Sequence, residues 1–412
     1  MAVIKPFAAI RPVTDELASH IAALPYDVYN RAEAKAEVNR EPMSFLRVDR
    51  AETAFPDDVS TYDKRVYEKA NELLRKMLED GEYIREDRRC YYVYELTMDG
   101  RSQVGVVGAA SIIDYETGII KKHENTRAEK ERDRIEHIDA CNAQTGPIFL
   151  AYRGSNEIDI IVARTMKKET LYDFTAPDGV RHRVWIIDDP DEIAQLGGCF
   201  MRVDRIYIAD GHHRAASAVR VGKLRQQANP GYDGTEEFNF FMSVLFPDHQ
   251  LKILDYNRVV KDLNGLSKED FINRVSEIFE VTPIDREQAS PSCRHHFGMY
   301  LDGQWYDLEV DPEDLSPDPV KGLDVSLLQE LLLKPVLGID DPKTDPRIDF
   351  VGGIRGMEEL ERRCADDCAV AFSMYPTSIK ELFDVADAGL LMPPKSTWFE
   401  PKLRSGLFVH EI

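Results

Sequence analysis

The sequence predicts a mixed α+β fold, and two observations support that prediction. Stretches with the 3.6-residue period of an amphipathic helix alternate along the chain with short runs of β-branched and aromatic residues, which are typical of strands. The chain has 412 residues, which is enough for two or three domains of about 150 residues each. No repeat of fixed period interrupts this alternation, and we expect at least two subdomains.

The first half of the chain predicts loops, then a helix, then mainly strands. Five prolines interrupt residues 1–60, and prolines are typical of loops and turns. Residues 61–80 predict a helix because their apolar side chains recur at helical spacing, and the middle of the charged stretch 121–146 is expected to be helical. The runs that predict strands are 91–96, 104–113, 147–153, 158–163, 182–188, 205–210 and 238–247.

Beyond about residue 250 the pattern restarts. Helical spacing alternates again with strand-like runs, and prolines mark the last twenty residues. The expected elements are helices near 267–280, 325–333 and 378–387, and strands near 297–310 and 369–376.

Charge and hydropathy restrict the class of protein. The formal net charge is −22, which argues against a protein that coats nucleic acid or an anionic membrane. No run of about 18 apolar residues is present to span a membrane, and the first residues lack the apolar core of a signal peptide. The six cysteines are scattered, so a disulfide framework is not expected. We therefore expect a cytoplasmic protein with no nucleic-acid or membrane partner.

The strongest candidate site is the junction Asp210-Gly211-His212-His213-Arg214. It follows the strand-like run 205–210 and precedes an alanine-rich helical stretch. Glycine permits a tight bend, and the backbone N–H groups of a helix N-terminus together with a guanidinium suit a phosphate. Asp210 could hold a metal or orient a histidine. A capped helix with surface histidines would use the same residue types, so that interpretation stays open.

A second candidate is His123-Glu124, which follows an apolar run and precedes a charged helical stretch. A glutamate in this place could act as general base toward a hydroxyl group. Lys130 and Arg134 follow on the same stretch, where a solvated helix face is the plainer interpretation.

A third candidate is the proline-marked loop that contains Lys395, Ser396 and Thr397, followed by Lys402 and Ser405. These residue types resemble a phosphate-contacting loop, although the glycine spacing of a Walker A motif is absent. An ordered polar tail packed on the body of the protein is an equal alternative. Asp27, in a turn near the start, is a weaker candidate, for which a structural use is favoured.

Together these blocks resemble the uncharacterised prokaryotic family DUF1015, a domain of unknown function. The blocks that carry the resemblance occur in the same order over nearly the whole chain. They are LPYDVYN, SFLRVDR, HENTRAEKERDR, NAQTGPIFLAYR, YIADGHHRAASA and MPPKSTWFEPKLRSGL.

That family is linked to the ParB/sulfiredoxin superfamily through a G-x-x-R turn, here Gly211 to Arg214. In the superfamily this turn cradles nucleotide phosphates. Its members include CTP-binding ParB proteins, sulfiredoxin, and kinases that phosphorylate free L-serine with a glutamate as base. The resemblance implies a ParB/sulfiredoxin-like phosphate-binding region with an N-terminal elaboration over residues 1–250. It also implies a C-terminal α+β subdomain over residues 251–412 that returns to the site.

This chain departs from the motifs of two members of the superfamily, sulfiredoxin and ParB. Sulfiredoxin has a cysteine where this chain has His212, so its chemistry is disfavoured. In ParB an E-N-x-x-R motif follows the turn, whereas here Glu124-Asn125 precedes it. ParB also needs a helix-turn-helix and a basic surface, and the net charge of −22 supports neither.

The sequence thus points to a small-molecule phosphotransferase, with free L-serine as an implied acceptor and Mg²⁺ with ATP, ADP or pyrophosphate as the donor system. Asp210 is the Mg²⁺ ligand candidate, and a homodimer is the default assembly. The catalytic candidates are Glu124, His123 and His212. The phosphate-binding candidates are Gly211, His213, Arg214, Lys130, Arg134 and Lys395.

Two other functions stay open at this point. One is a nucleotide-binding switch or adaptor that catalyses nothing and has no need of Glu124. The other is a metal-dependent hydrolase or nuclease that uses His123, Glu124, Asp210 and His212.

Overall fold

A computed structural model describes residues 1–412. The chain divides into two units, of which the first comprises Met1–Leu251 and Pro401–Ile412, and the second comprises Lys252–Glu400. Helices and sheets are present in both units, which confirms the expected mixed α+β fold. None of the helices combines the length and the apolar character that a membrane span requires.

The helices follow one another along the chain as α1 to α13. They are Asp15–Ile21, Arg31–Arg40, Leu46–Asp49, Lys64–Glu79, Ile112–Glu116, Ala128–Cys141, Asn156–Thr165, Pro190–Phe200, His212–Ala228, Lys268–Ser276, Asp324–Leu328, Gly356–Asp366 and Ile379–Asp387.

The strands are numbered β1 to β21 in the same way. They are Ile4–Lys5, Ile10–Pro12, Tyr83–Arg85, Tyr91–Met98, Arg101–Ser111, Ile120–Lys121, Ala143–Gln144, Ile148–Tyr152, Tyr172–Thr175, Arg181–Ile187, Ile206–Asp210, Phe240–Pro247, Ile253–Leu254, Tyr256–Val260, Phe279–Ile284, His296–Leu301, Gln304–Val310, Ile348–Gly352, Val370–Met374, Trp398–Phe399 and His410–Glu411.

A nine-stranded sheet forms the centre of the first unit. Its strand order is β6-β11-β8-β12-β5-β4-β10-β9, and β1 pairs with β5 beside this path. Most neighbours are antiparallel, but β6 with β11 and β8 with β12 are parallel. The strand β11 lies between β6 and β8, and its apolar residues Ile206, Tyr207 and Ile208 are all fully buried. A strand covered on both faces reads as a continuous apolar run, which is why the sequence predicted it well.

The segment 158–163 was predicted as a strand, and that prediction is wrong. It lies within the helix α7, Asn156–Thr165. Ile158, Ile161 and Thr165 are fully buried whereas Ile160 is exposed. This burial follows the three- and four-residue spacing of one helix face, and packing on that face overrides the strand propensity of the β-branched residues.

The second unit is built on a six-stranded sheet with the order β15-β17-β16-β19-β14-β18. Every neighbouring pair in this sheet is antiparallel. Its core includes Val259 on β14, Trp305 on β17 and Leu360 on α12. The strand-like stretch predicted at 297–310 is a hairpin of β16 and β17, with a tight turn between them.

The residues Pro401–Ile412, here called the C-terminal segment, pack within the first unit. Ser405 forms a β-bridge with Ala23 and Val409 forms one with Ile10. The carbonyl of Gly406 accepts a hydrogen bond of 2.7 Å from the Tyr83 hydroxyl. Gly406 has a φ of +87°, and a Cβ at this position would lie 2.5 Å from the Cβ of Phe45. The first unit therefore closes around residues that follow the second unit in the chain.

Candidate functional site

The bend between β11 and α9 is formed by Gly211, which has a φ of +94° and a ψ of 31°. A side chain at this position would meet the guanidinium of Arg214, because an added Cβ would lie 3.1 Å from three of its atoms. The helix α9 has 17 residues, and no side chain caps its N-terminus. The first N–H groups of a helix carry a partial positive charge and need acceptors, so this end of α9 is suited to an anion.

Asp210, the last residue of β11, lies between several positively polarised groups. Its Oδ1 accepts a hydrogen bond of 2.8 Å from the backbone N–H of Gly211. Its Oδ2 lies 3.4 Å from Nζ of Lys402 and 3.8 Å from Nη2 of Arg214. Burial opposes the charged carboxylate, but Lys402 and Arg214 outweigh it and hold the pKa of Asp210 well below its usual range. Asp210 is therefore a carboxylate shared by two cations.

This arrangement does not fit a resident Mg²⁺ at Asp210. A cation on either carboxylate oxygen would face Lys402 and Arg214 as like charges, within a few ångströms. No three or more histidine, cysteine or acidic side chains converge in residues 1–412 either, as a zinc site held by protein ligands requires. For the same reason, the geometry does not fit a metal-dependent hydrolase built on His123, Glu124, Asp210 and His212.

Arg214 reaches back from the first turn of α9 across the bend. Its Nη1 donates a hydrogen bond of 2.5 Å to the carbonyl of Pro147, which immediately precedes β8. The neighbouring Gly146 leaves room here, since a Cβ on it would lie 3.2 Å from Oγ of Ser405 and 3.7 Å from the Arg214 side chain. The guanidinium is thus held at the bend by a backbone carbonyl as well as by Asp210.

His212 connects the bend to Glu124. Its Nε2 lies 3.5 Å from the backbone N–H of His123 and accepts from it, while its Nδ1 lies 3.8 Å from Oε2 of Glu124. Because Nε2 acts as an acceptor, the neutral ring carries its proton on Nδ1, which faces the carboxylate. Burial, followed by the proximity of His123, lowers the pKa of His212 well below its usual value. The structure therefore brings Glu124, His212 and Asp210 to the same end of α9.

His123 is completely buried beside this group. Its ring packs edge-on against the His212 ring, with 4.5 Å between the centroids. Neither of its ring nitrogens has a hydrogen-bond partner of normal geometry, which is rare for a buried polar group. Burial lowers the pKa of His123 to about 4, against smaller opposing effects of Asp210 and the Ile208 carbonyl. The ring is therefore neutral at pH 7.

His213 points to the other side of the first turn of α9. Its Nε2 accepts a hydrogen bond of 3.0 Å from the backbone N–H of Arg127, the residue before α6. Burial lowers the pKa of His213, which keeps it neutral and able to accept. His213 thus joins the start of α9 to the start of α6, and one of its two nitrogens is already engaged.

Arg134 on α6 belongs to a buried ion pair. Its Nε and Nη2 lie 2.9 and 2.8 Å from the same oxygen of Asp133. The Tyr67 hydroxyl donates to the other oxygen over 3.0 Å. The guanidinium also lies 4.1 Å from the centre of the Tyr26 ring. Burial alone would lower the pKa of Arg134, but Asp133 and Tyr26 raise it above its usual value.

A small cavity joins this ion pair to the bend. It has a volume of about 30 Å³ and is lined by Arg134 of α6, Arg214 of α9 and Ser405, among others, so it has room for about one water molecule. A cleft of about 300 Å³ shares Tyr26 and Arg134 with it. Lys130 also lines the cleft, as does Asp27 from the turn near the start of the chain.

Lys395 belongs to the second unit. Its Nζ lies 5.4 Å from the centre of the Tyr256 ring, and its carbonyl accepts a hydrogen bond of 3.1 Å from Nη2 of Arg258. Its backbone is left-handed, with a φ of +59°. A role of Lys395 in phosphate binding stays a prediction.

Three residues at the bend or in the adjoining cavity were missed or only weakly indicated by the sequence. Lys402 and Ser405 follow the proline-marked loop, and their residue types alone gave a weak signal. Asp49, which lines both the cavity and the cleft, gave no signal, although its Oδ1 accepts a hydrogen bond of 2.7 Å from the Thr145 hydroxyl. Contacts across more than 90 residues of chain, such as this one, leave no local pattern in a sequence.

Three solved structures illustrate what the chain is similar to. A free serine kinase variant in complex with AMP shares 14% identity and a TM-score of 0.35, covering 74% of this chain and 92% of that one. A conserved hypothetical protein from Pyrococcus furiosus shares 15% identity and a TM-score of 0.35, covering 74% and 95%. SbnI with a C-terminal truncation, from Staphylococcus aureus, shares 12% identity and a TM-score of 0.38, covering 74% and 87%. Likeness at this level carries no conclusion about the chemistry of this chain.

Sequence comparison gives a firmer result. No protein of curated function matches the chain. The family model described as "Protein of unknown function (DUF1015)" matches residues 4–326, which is most of the chain and confirms the resemblance seen in the sequence. The chain therefore belongs to the DUF1015 family.

Proposed function

We propose that the protein is a small-molecule phosphotransferase, which moves a phosphoryl group from a nucleotide or pyrophosphate to the hydroxyl group of a small acceptor. Free L-serine is the first acceptor to test. The observation that carries the proposal is the bend at Gly211, where an uncapped helix end, Arg214 and Lys402 meet beside Glu124. Phosphoryl transfer depends mainly on positioning and on neutralising charge, and this arrangement supplies both.

The donor phosphates would bind at the N-terminus of α9. The backbone N–H groups of its first turn have no side-chain cap, and Arg214 is already turned toward Gly211. Anions bind to helix N-termini because the N–H groups and the helix dipole both favour negative charge. The glycine matters because a side chain at residue 211 would occupy the space next to the guanidinium.

Glu124 is the proposed general base. It would accept the proton of the acceptor hydroxyl while the acceptor oxygen forms a bond to the phosphorus, and the bond from phosphorus to the leaving phosphate oxygen breaks. The Nδ1 proton of His212 faces the Glu124 carboxylate over 3.8 Å and would orient it. The proton thus moves to Glu124, and the leaving phosphate stays neutralised by Arg214 and the helix end.

The acceptor would enter through the cleft of about 300 Å³. Charges of both signs line it, among them Asp27 and Lys130. A zwitterionic hydroxy amino acid carries one charge of each sign, so this lining is compatible with such an acceptor. Tyr26 and Arg134 line both the cleft and the small cavity that Arg214 also lines. Because that cavity holds only about one water molecule, these side chains would have to move apart before an acceptor in the cleft could reach the bend.

The test uses the full chain and ³¹P NMR. ATP, ADP, CTP and pyrophosphate are offered with and without L-serine, and a phosphoserine signal that requires both partners supports the proposal. Glu124→Gln is expected to lose at least a hundredfold in turnover, the usual contribution of a general base, while it still binds the donor. The exposed Glu136 on α6 provides the control Glu136→Gln, which should turn over normally.

Two results would count against this assignment. Normal turnover in Glu124→Gln would show that another group takes the proton. Tight donor binding by the wild-type protein with no phosphoryl transfer to any hydroxyl compound would favour a nucleotide-binding switch instead.

A further inference from the structure

Lys402 reaches the bend from a distant part of the chain. It lies in the C-terminal segment, 192 residues after Asp210, and its Nζ lies 3.4 Å from Oδ2 of Asp210. Arg214 approaches the same oxygen from the other side, at 3.8 Å. Only 15% of the Lys402 side chain is exposed. Lys402 lies outside the residues 4–326 that the family model matches.

The charges at the bend do not cancel. Asp210 contributes one negative charge, whereas Arg214 and Lys402 contribute one positive charge each. The uncapped end of α9 adds about half of a positive charge. Glu124, which approaches His212 at the same end of α9, contributes a second negative charge, so these side chains together leave only the partial positive charge of the helix end. A phosphate group at that end would nevertheless lie close to two cationic side chains, because Lys402 and Arg214 approach the same carboxylate oxygen of Asp210.

The neighbours of Lys402 hold it in place. Two residues further on, Nε of Arg404 donates to Nε2 of His182 over 3.2 Å, and its Nη2 donates to the carboxylate of Asp178. The next residue, Ser405, is joined to Ala23 by a β-bridge. A lysine whose backbone is fixed in this way loses less conformational freedom on binding a ligand than one in a mobile tail.

We propose that Lys402 is a phosphate-binding residue, and that the C-terminal segment is thereby part of the donor site. The ligand class is a pyrophosphate or the polyphosphate chain of a nucleotide. The inference rests on the proposed function, since it assumes that the bend binds phosphate. If Lys402 only neutralised Asp210, removing it from a variant that already lacks the Asp210 carboxylate would leave the affinity of the folded protein for phosphate unchanged.

The experiment is a calorimetric titration of the full chain with pyrophosphate, and separately with ATP. Lys402→Met is expected to weaken binding about 10- to 100-fold, the usual effect of losing one charge-assisted hydrogen bond. Lys402→Arg should keep most of the affinity because it keeps the charge. Lys223→Met is the matched control, since Lys223 lies on α9 in an exposed ion pair with Glu116. This variant should bind pyrophosphate and ATP as tightly as the wild type does.

A second pair of variants tests the proposal if Lys402→Met does not fold. Asp210→Asn removes the carboxylate, so adding Lys402→Met to it leaves no buried carboxylate without its lysine, and Arg214 loses its Asp210 contact equally in both variants. The double variant is expected to bind pyrophosphate about 10- to 100-fold more weakly than Asp210→Asn alone.

The outcomes separate the two proposals. If the wild type binds and Arg214→Ala does not, but Lys402→Met and the double variant keep the affinity of their reference proteins, the role of Lys402 is refuted and the phosphate site at the bend stands. If the wild type binds neither pyrophosphate nor ATP, the proposed function and this inference are both overturned.

Discussion

Replacing Gly211 by alanine separates the strain of the bend from its part in binding an anion. Gly211 has a φ of +94°, and the new Cβ would lie 3.1 Å from the Arg214 guanidinium, whereas Gly81 has a φ of +73° with nothing within 4 Å of such a Cβ. A left-handed alanine costs about 1–2 kcal/mol, so Gly211→Ala and Gly81→Ala should each lower the melting temperature by roughly 2–8 °C.

Only Gly211→Ala is expected to lose affinity for pyrophosphate. Its Cβ requires the guanidinium of Arg214 to move by a few tenths of an ångström away from residue 211, and any such shift disturbs a guanidinium that is also bound to the Pro147 carbonyl. A weakened charge-assisted contact of this kind corresponds to a loss in affinity of about tenfold or more. Differential scanning fluorimetry measures the stability of both variants, and calorimetry measures their binding. Equal pyrophosphate affinity in the two variants would refute the assignment of the bend as the anion site.

Three further predictions concern the stability of the first unit. His123 has a folded pKa of about 4, below the unfolded value of about 6.5, so its contribution is complete above pH 6.5 and is lost as the pH falls toward 4. The loss of stability should amount to about 2 kcal/mol at pH 5, and His123→Phe should flatten the dependence of melting temperature on pH. Arg134→Met leaves the Asp133 carboxylate buried without its partner and should cost about 3–5 kcal/mol in urea unfolding, most of which Asp133→Asn in the same chain should restore. Gly406→Ala combines a φ of +87° with a Cβ only 2.5 Å from Phe45, and should lower the free energy of unfolding by about 3 kcal/mol or more; a loss below about 1 kcal/mol would contradict the close approach.

The elements around the bend were predictable because their signals are local. The strand β11 is an unbroken apolar run, and Gly211 marks its end. The helix α7 was mistaken for a strand because isoleucine and valine favour strands, and only its burial on one helical face reveals the true period. Residues 1–60 were expected to be loop-rich, and the short helices α1, α2 and α3 lie there between loops. Their prolines stand mainly between these helices rather than inside them, and so delimit structure instead of preventing it.

The composition of the site was less predictable than the fold. The sequence marked Glu124, His212 and Arg214 as candidates, and the structure places all three at one end of α9. The sequence does not predict the contact between Lys402 and Asp210, because these residues lie 192 positions apart in the chain. Nor does the sequence predict that Asp210 forms ion pairs with two cationic side chains, since a lone aspartate at a strand end is equally typical of a metal ligand.

The position of the C-terminal segment sets the order in which the molecule can be completed during synthesis. The ribosome must produce all of Lys252–Glu400 before it releases Pro401–Ile412, which the first unit needs. At about 5–20 residues per second, that delay lasts roughly 7 to 30 s. Throughout that interval the nascent chain lacks the partners of Ala23, Tyr83 and His182, and leaves uncovered the apolar surface that Phe408 and Val409 later fill. A nascent chain that has not yet reached Pro401 therefore leaves the first unit open to chaperones and proteases.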